Sequence, residues 1–267
     1  MSQGQDHSTS QAKVQAKNQA KTQAQAHHTS CHADAACEEL LSRGGFSRPA
    51  LVCRWRLFAQ ALPLENRHLR ALSQRDVQGQ SMDLRLVAWA KQHIEWTLFT
   101  GASAYPQGVL MLVVDEDGKA AMTVGPYTPL AQPTLEALCK RVQASSLEAL
   151  ETGVAPESIW AFYDGVLYWG AEEFEKPSGA NSLVLDLAKT LGIHVVRKSG
   201  LLQEIQDRSL HAAEIFMVSD EHGVVADREY AGSMSARMAE CYKRLLAAEE
   251  KKQKDKHQRD RHSRGAR

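Results

Sequence analysis

The chain has no apolar run approaching the roughly 18 to 20 residues that a membrane-spanning helix requires. Its opening, MSQGQDHSTSQAK, holds no apolar stretch of the kind a secretory leader carries. Neither charge is in excess, with 32 Lys and Arg against 32 Asp and Glu, which excludes a broadly cationic nucleic-acid surface and makes nucleic acid an unexpected partner. Aromatic residues are sparse at 6%. None is interleaved with the basic C-terminal segment, so the stacking platforms of a single-strand binder are missing there. Cysteine is scarce and odd in number. Cys31, Cys37, Cys53, Cys139 and Cys241 are spread too widely for a disulfide framework and point to a reducing, cytoplasmic compartment with no membrane partner.

What is present is apolar material amounting to 43% of 267 residues, enough for one large domain or two small ones. Both ends read as tails. Residues 1–45 are rich in Gln, Ala and His, and the cycle QAKVQAKNQAKTQAQA puts Lys13, Lys17 and Lys21 on one helical stripe without an apolar face to bury, which predicts disorder or a frayed helix. Next to it, His27, His28, Cys31, His32 and Cys37 are ligand types that zinc prefers, but their spacing matches no closed four-ligand pattern, and no metal site is assigned. Residues 249–267 form a basic tail, with eight Lys and Arg against two Asp between Lys251 and Arg267.

Between the tails, strand and helix patterns alternate, predicting an α/β or α+β fold of two domains with a cleft between them. A smaller N-terminal domain is expected over residues 46–126, a proline-bearing linker over 127–133, and a larger C-terminal domain over 134–248. In the first, PALVCRWRLFAQAL reads as a strand or strand pair, LENRHLRALSQ and MDLRLVAWAKQH as helices, and EWTLFTG, GVLMLVV and AAMTV as extended segments. The last two are joined by an Asp-Glu-Asp-Gly turn that reads as a hairpin. In the second, a helix ends at Gly153, a strand turns at Asp164-Gly165, and helices and strands then alternate to a closing helix.

One stretch carries chemistry. In KPSGANSLVLDLAKTLGI, Ser178, Gly179, Asn181 and Ser182 fall where a helix has unpaired N–H groups and the positive end of its dipole, an arrangement that suits a phosphate or another anion. The same residues serve equally as an ordinary helix cap after a glycine turn.

From DGVLYWG through PSGANSLVLDLAKTLGIHVVRKSGLLQEI, AAEIFMVSDEHGVVA and AGSMSARMAECYKRLL, the second half resembles the C-terminal domain of the class IV pyridoxal-phosphate enzymes, a family that includes branched-chain and D-amino-acid aminotransferases and aminodeoxychorismate lyase. The counterparts are Asp164 and Gly165, Pro177 and Gly179, LVLDLAKTLGIHV, LLQEI and AAEIF. His68, Leu69 and Leu72 extend the likeness more loosely into the first half, so that it covers about residues 48 to 246. The resemblance implies a two-domain fold type IV architecture, a homodimer, pyridoxal phosphate as cofactor and a small amino compound as substrate. It also implies a phosphate cup made by Ser178, Gly179, Ala180 and Asn181 at the helix entrance and by Val218, Ser219 and Asp220 on the turn after the AAEIF strand.

Three positions depart from the family's pattern. Asn181 and Ser182 replace a threonine and an arginine of the cup, and Asp220 brings a negative charge to where a phosphate would lie. Trp169 stands where the family has the carboxylate that meets the pyridine nitrogen, with Glu172 and Glu173 close enough in sequence to substitute if the loop is rebuilt. No Lys-x-x-Asn-Tyr occurs, and Lys140, inside an amphipathic helix, is the nearest amine. Two functions follow. One is a relative with impaired or lost pyridoxal-phosphate catalysis that keeps a ligand-binding cleft. The other is an active aminotransferase or lyase, acting on an amino acid or an aminochorismate-type substrate, with its lysine relocated.

Overall fold

Alternation along β1 (Pro49–Arg56) sends Leu51, Cys53 and Trp55 to one face and Val52, Arg54 and Arg56 to the other. The strand comes from a computed structural model of the chain that describes residues 45–211 and 214–265. The Lys13, Lys17 and Lys21 repeat and the His and Cys cluster lie outside those residues. β1 pairs antiparallel with β4 (Val109–Asp115), which pairs with β5 (Ala120–Gly125) in a three-stranded sheet of order β1-β4-β5. All seven residues of β4 are buried, so the central strand feeds two cores at once. Leu110, Leu112 and Val114 join Leu51, Cys53 and Trp55 on one side, while Val109, Met111 and Val113 meet Val52 and Tyr127 on the other. The turn between β4 and β5 closes with the Gly118 N–H on the Asp115 carbonyl at 3.0 Å, and Gly118 takes φ of 77°.

Two helices lie with this sheet, with the short hairpin β2 (Asp76–Val77) and β3 (Gln80–Ser81) between them. α1 (Glu65–Ser73) buries His68, Leu69, Ala71 and Leu72. α2 (Leu84–Gly101) starts at Asp83, whose side chain accepts the Arg85 N–H at 2.8 Å. Its course corrects one expectation, since EWTLFTG is the C-terminal half of this helix and not a strand. Leu86, Ala90, Ile94 and Leu98, spaced by four, form one stripe on the first core, and that stripe outweighs the β-branched and aromatic local composition.

Residues 126–134 carry no regular element and lead into α3 (Leu135–Thr152), capped by Thr134 and stopped by Gly153 in the left-handed conformation. There follow β6 (Glu157–Tyr163), β7 (Val166–Trp169), α4 (Gly179–Thr190), β8 (Val195–Arg197), α5 (Leu201–Gln206), β9 (Glu214–Ser219), β10 (Gly223–Ala226) and α6 (Ser233–Gly265). The five strands form a sheet of order β10-β9-β6-β7-β8, antiparallel except for β7 and β8. One face packs Trp160, Leu167, Phe216 and Val218 against α4 and α6; the other packs Ile159, Ala161, Ile215 and Met217 against α3 and α5. At the start of β9, Glu214 reaches the beginning of α6 and accepts the N–H groups of Met234 at 2.9 Å and Ser235 at 2.7 Å. Among the described residues no helix is long and apolar enough to cross a membrane.

Candidate functional site

The loop before α4 and the turn after β9 meet. Ser178 caps α4 and accepts the Asn181 N–H at 3.3 Å, and its own side chain, like Gly179, Ala180 and Asn181, is buried. The donor next in line, the N–H of Ala180, is taken by Asp220, whose Oδ1 accepts it at 2.7 Å. A carboxylate from elsewhere in the chain thus lies at the positive end of the helix, in a short charge-assisted hydrogen bond. Asn181 is engaged at both ends of its amide, with both N–H donors used. Its Oδ1 accepts the Trp160 indole N–H at 3.0 Å, and its Nδ2 donates to Ser158 Oγ at 2.9 Å and Ser178 Oγ at 3.0 Å.

α1 covers this entrance. His68 stacks on Trp55, with ring centroids 5.1 Å apart, and holds Nδ1 3.6 Å from Asp220 Oδ2, beyond hydrogen-bond length. Burial alone would raise the Asp220 pKa, but the charge of His68 and the donated hydrogen bonds outweigh it and hold the carboxyl below the usual aspartate range. His68 fits because residue 179 is glycine, where a Cβ would come within 2.3 Å of Nδ1. One residue earlier, Arg67 donates to Ser182 Oγ at 3.1 Å and pairs with Asp186 at 2.8 Å, tying α1 to α4.

A polar seam continues from the cup between the two sheets. Ser219 donates to Glu157 at 2.9 Å, and Glu157 also holds Arg141 through both carboxylate oxygens. Glu221 pairs with Arg54 of β1 at 2.6 Å; burial would raise its pKa, but the Arg54 hydrogen bond and charge bring it below the usual range. The Arg56 guanidinium lies 3.3 Å from the centre of the Tyr127 ring, and the Tyr127 hydroxyl is 3.2 Å from His222 Nδ1. Desolvation lowers the pKa of His222 and raises that of Tyr127. Cys53, on the opposite face of β1 from Arg54 and Arg56, has its thiol pushed up by burial to about 12, which leaves it inert as a nucleophile at neutral pH.

No family pattern matches the sequence, and no curated protein matches it. Solved structures do. A fold IV transaminase from Curtobacterium pusillum superposes with a TM-score of 0.52 at 13% identity, over 79% of this chain and 87% of that one. A protein assigned as a branched-chain amino acid aminotransferase from Thermotoga maritima gives 0.51 at 14%, over 74% and 86%. A protein assigned as a 4-amino-4-deoxychorismate lyase from Legionella pneumophila gives 0.51 at 9%, over 73% and 90%.

The chain has the class IV aminotransferase fold. Identities this low establish the fold alone, and chemistry must be judged from the site. Against the phosphate cup that the sequence resemblance implies, the residues present do not fit pyridoxal phosphate at two points. The Ala180 N–H already serves Asp220, a negative group that a phosphate would have to displace or face. Trp169, at the position of the expected carboxylate, is buried and stacked on Trp160 at 5.8 Å, with the Arg197 guanidinium 4.5 Å from its ring centre.

The structure brings Ser178, Gly179, Ala180 and Asn181 together with Ser219 and Asp220, the last through direct contact. Lys140 is not among them. It projects from the exposed face of α3, while its neighbour Arg141 turns inward to Glu157. Glu172 and Glu173 lie in the loop after β7, where their carbonyls accept from Arg197 and the Glu172 carboxylate accepts from Ser199. Sequence reasoning passed over Ser158, Trp160, Glu157 and the role of His68. The signals were modest: Ser158 is a polar residue within an apolar strand, and His68 a histidine on the apolar stripe of Leu64, Leu69 and Leu72.

Proposed function

We propose that the chain is a non-catalytic relative of the fold type IV pyridoxal-phosphate enzymes, one in which Asp220 takes the place of a cofactor phosphate at the entrance to α4. The single observation that carries this reading is the buried Asp220 carboxylate on the Ala180 N–H, with His68 beside it. Two further features support it. Trp169 replaces the expected carboxylate, and Lys140, the one amine offered by the sequence near the family's lysine position, faces solvent. What the chain keeps is a polar seam between its two sheets in which Arg54 and Arg141 are already paired with Glu221 and Glu157, leaving Arg56, Tyr127 and His222 to meet a small acid or amino acid that is held rather than turned over.

The test is direct. Purified full-length protein is titrated with pyridoxal phosphate, scanned for the visible absorbance of an internal Schiff base, reduced with borohydride and weighed. The expected result is no shifted band and no mass gain, because Lys140, the amine nearest the family's lysine position, faces solvent and is not positioned to condense with the aldehyde. A mass gain mapped to Lys140, together with loss of amino-group exchange in Lys140→Ala, would establish the second reading, an active enzyme with a relocated lysine.

A further inference from the structure

Overall neutrality conceals a segregation of charge along this chain. Residues 251–265 hold seven of the 32 Lys and Arg but only two of the 32 Asp and Glu, so this stretch carries five net positive charges and the rest of the chain five net negative ones. The balance that speaks against a cationic surface over the whole molecule therefore does not hold for its last helix. α6 is continuous from Ser233 to Gly265, and Met238, Tyr242 and Leu246 are its buried members of the core that it shares with α4. Beyond Leu246 it runs on to Gly265, about 28 Å at 1.5 Å per residue.

That extension has no apolar face. Between Leu246 and Gly265 the only apolar residues are Ala247 and Ala248, which leaves no stripe to lay on a protein groove or into a lipid surface. It is helical for other reasons. The packed first half supplies the nucleus, so the rest only adds turns to a helix already begun. Asp255 stands four residues from Lys251 and Arg259, and Asp260 four from Lys256 and Arg264, the spacing at which opposite charges support a helix. The macrodipole accounts for cations in the last turn alone. Here every turn from Lys251 to Arg264 holds at least one Lys or Arg.

We infer that the extension of α6 is an arm that lies in the major groove of duplex DNA and binds it through the phosphates, without reading its sequence. The dimensions agree. A helix with its side chains is about 10–12 Å across, and the groove is about 12 Å wide. Phosphates line both walls of the groove, so a helix with a cation in every turn serves both. Other nucleic acids fit less well. No Trp, Tyr or Phe follows Tyr242 to stack on the bases of a single strand, and the major groove of an RNA duplex is too deep and narrow to take a helix. The net negative charge on the rest of the chain repels the same phosphates and confines the contact to the arm.

Fluorescence anisotropy of the full-length chain with a labelled DNA duplex of about 20 base pairs tests this. Affinity is expected to fall roughly a thousandfold between about 50 and about 200 mM salt, with a slope of log K on log salt of about −4 to −6. Lys252→Gln/Lys254→Gln/Lys256→Gln should make that slope shallower by about three. Arg85→Gln/Lys91→Gln/Lys189→Gln, which removes as much charge from exposed positions outside α6, should leave it unchanged. Gln253→Pro alters no charge but breaks the helix, and is expected to weaken binding at least about tenfold. The α6 substitutions lie past Leu246, so the thermal midpoint of the folded chain should not move. Absence of binding at about 50 mM salt would overturn the inference. So would a slope indifferent to the α6 lysines, or an affinity indifferent to Gln253→Pro, since a rod in a groove needs both its charge and its shape. Tighter binding to vesicles containing about 30% phosphatidylserine than to the duplex would overturn it in favour of a membrane surface. None of these outcomes bears on pyridoxal-phosphate binding.

Discussion

His68 and Gly179 are packed so closely that residue 179 has no room for a side chain. A methyl group there would meet the imidazole Nδ1 at 2.3 Å and its Cε1 at 2.7 Å. Gly179→Ala should therefore force His68 off Trp55 and away from Asp220, costing about 1–3 kcal/mol. In a domain of this size that corresponds to a fall of roughly 2–12 °C in the thermal midpoint, read by calorimetry. An unchanged midpoint would mean that the lid over the entrance is slack.

Asp220→Asn keeps the shape of the side chain and removes the charge that the Ala180 N–H and His68 both use. A hydrogen bond to a charged group contributes about 1.5–3 kcal/mol, and urea titration at neutral pH should show a loss of that order. The pH dependence is the sharper signature. The folded pKa of Asp220 is depressed, so between it and the ordinary value near 3.9 the unfolded chain binds more protons, and stability rises with pH. The advantage of the wild type is fully present above the ordinary aspartate range and is lost as pH falls toward the lowered folded value. A gap between the two proteins that stays constant from neutral to acid pH would show that the charge contributes nothing.

Asp220→Thr removes the negative charge from the entrance to α4 and leaves a hydroxyl. At roughly 4 Å even a well-solvated like-charge pair costs about 1 kcal/mol per unit charge. Inorganic phosphate should accordingly bind the variant more tightly than the wild type, by about fivefold per unit of phosphate charge. Calorimetric titration would decide. Equal affinities would mean that the carboxylate is not competing for the anion position.

Asn181→Ala strands the Trp160 indole N–H inside the sheet face that packs on α4, along with the hydroxyls of Ser158 and Ser178. The buried indole N–H alone should cost about 1–3 kcal/mol, measured by urea denaturation. Asn181→Asp offers the same acceptor to Trp160 but cannot donate to the serines, so it should recover only part of the loss.

Much of this architecture could be read from the chain. Asp115 to Gly118 announced a hairpin because only a few residue types make so tight a reversal, and Ser178 announced a helix entrance for the same local reason. EWTLFTG misled because its seven residues have strand-like composition, and the stripe that makes it helical begins at Leu86, outside that window. At the cup, the charge of Asp220 was visible from sequence as a defect in a phosphate site. Its occupation of the Ala180 N–H was not, because that contact joins residues 40 apart and depends on α1 delivering His68 across the entrance. Trp160 and Ser158 were hidden for a related reason: a strand's alternation shows which residues share a face, not which polar atoms meet across the next layer.

β9 and the first residue of the turn after it offer α4 and α6 four alternate positions on one side: Glu214, Phe216, Val218 and Asp220. The two apolar members face the core that both helices share, and the two acids, one at each end, fasten to the beginning of a different helix. The strand therefore acts as a ruler with a charged mark at either end. If it slid by one residue against β6, Ile215, Met217 and Ser219 would turn toward the helices, and both helix starts would lose their anions together. Alignment of the central strand and placement of the two helices are thus a single choice, and a chain that makes it wrongly gains no partial credit.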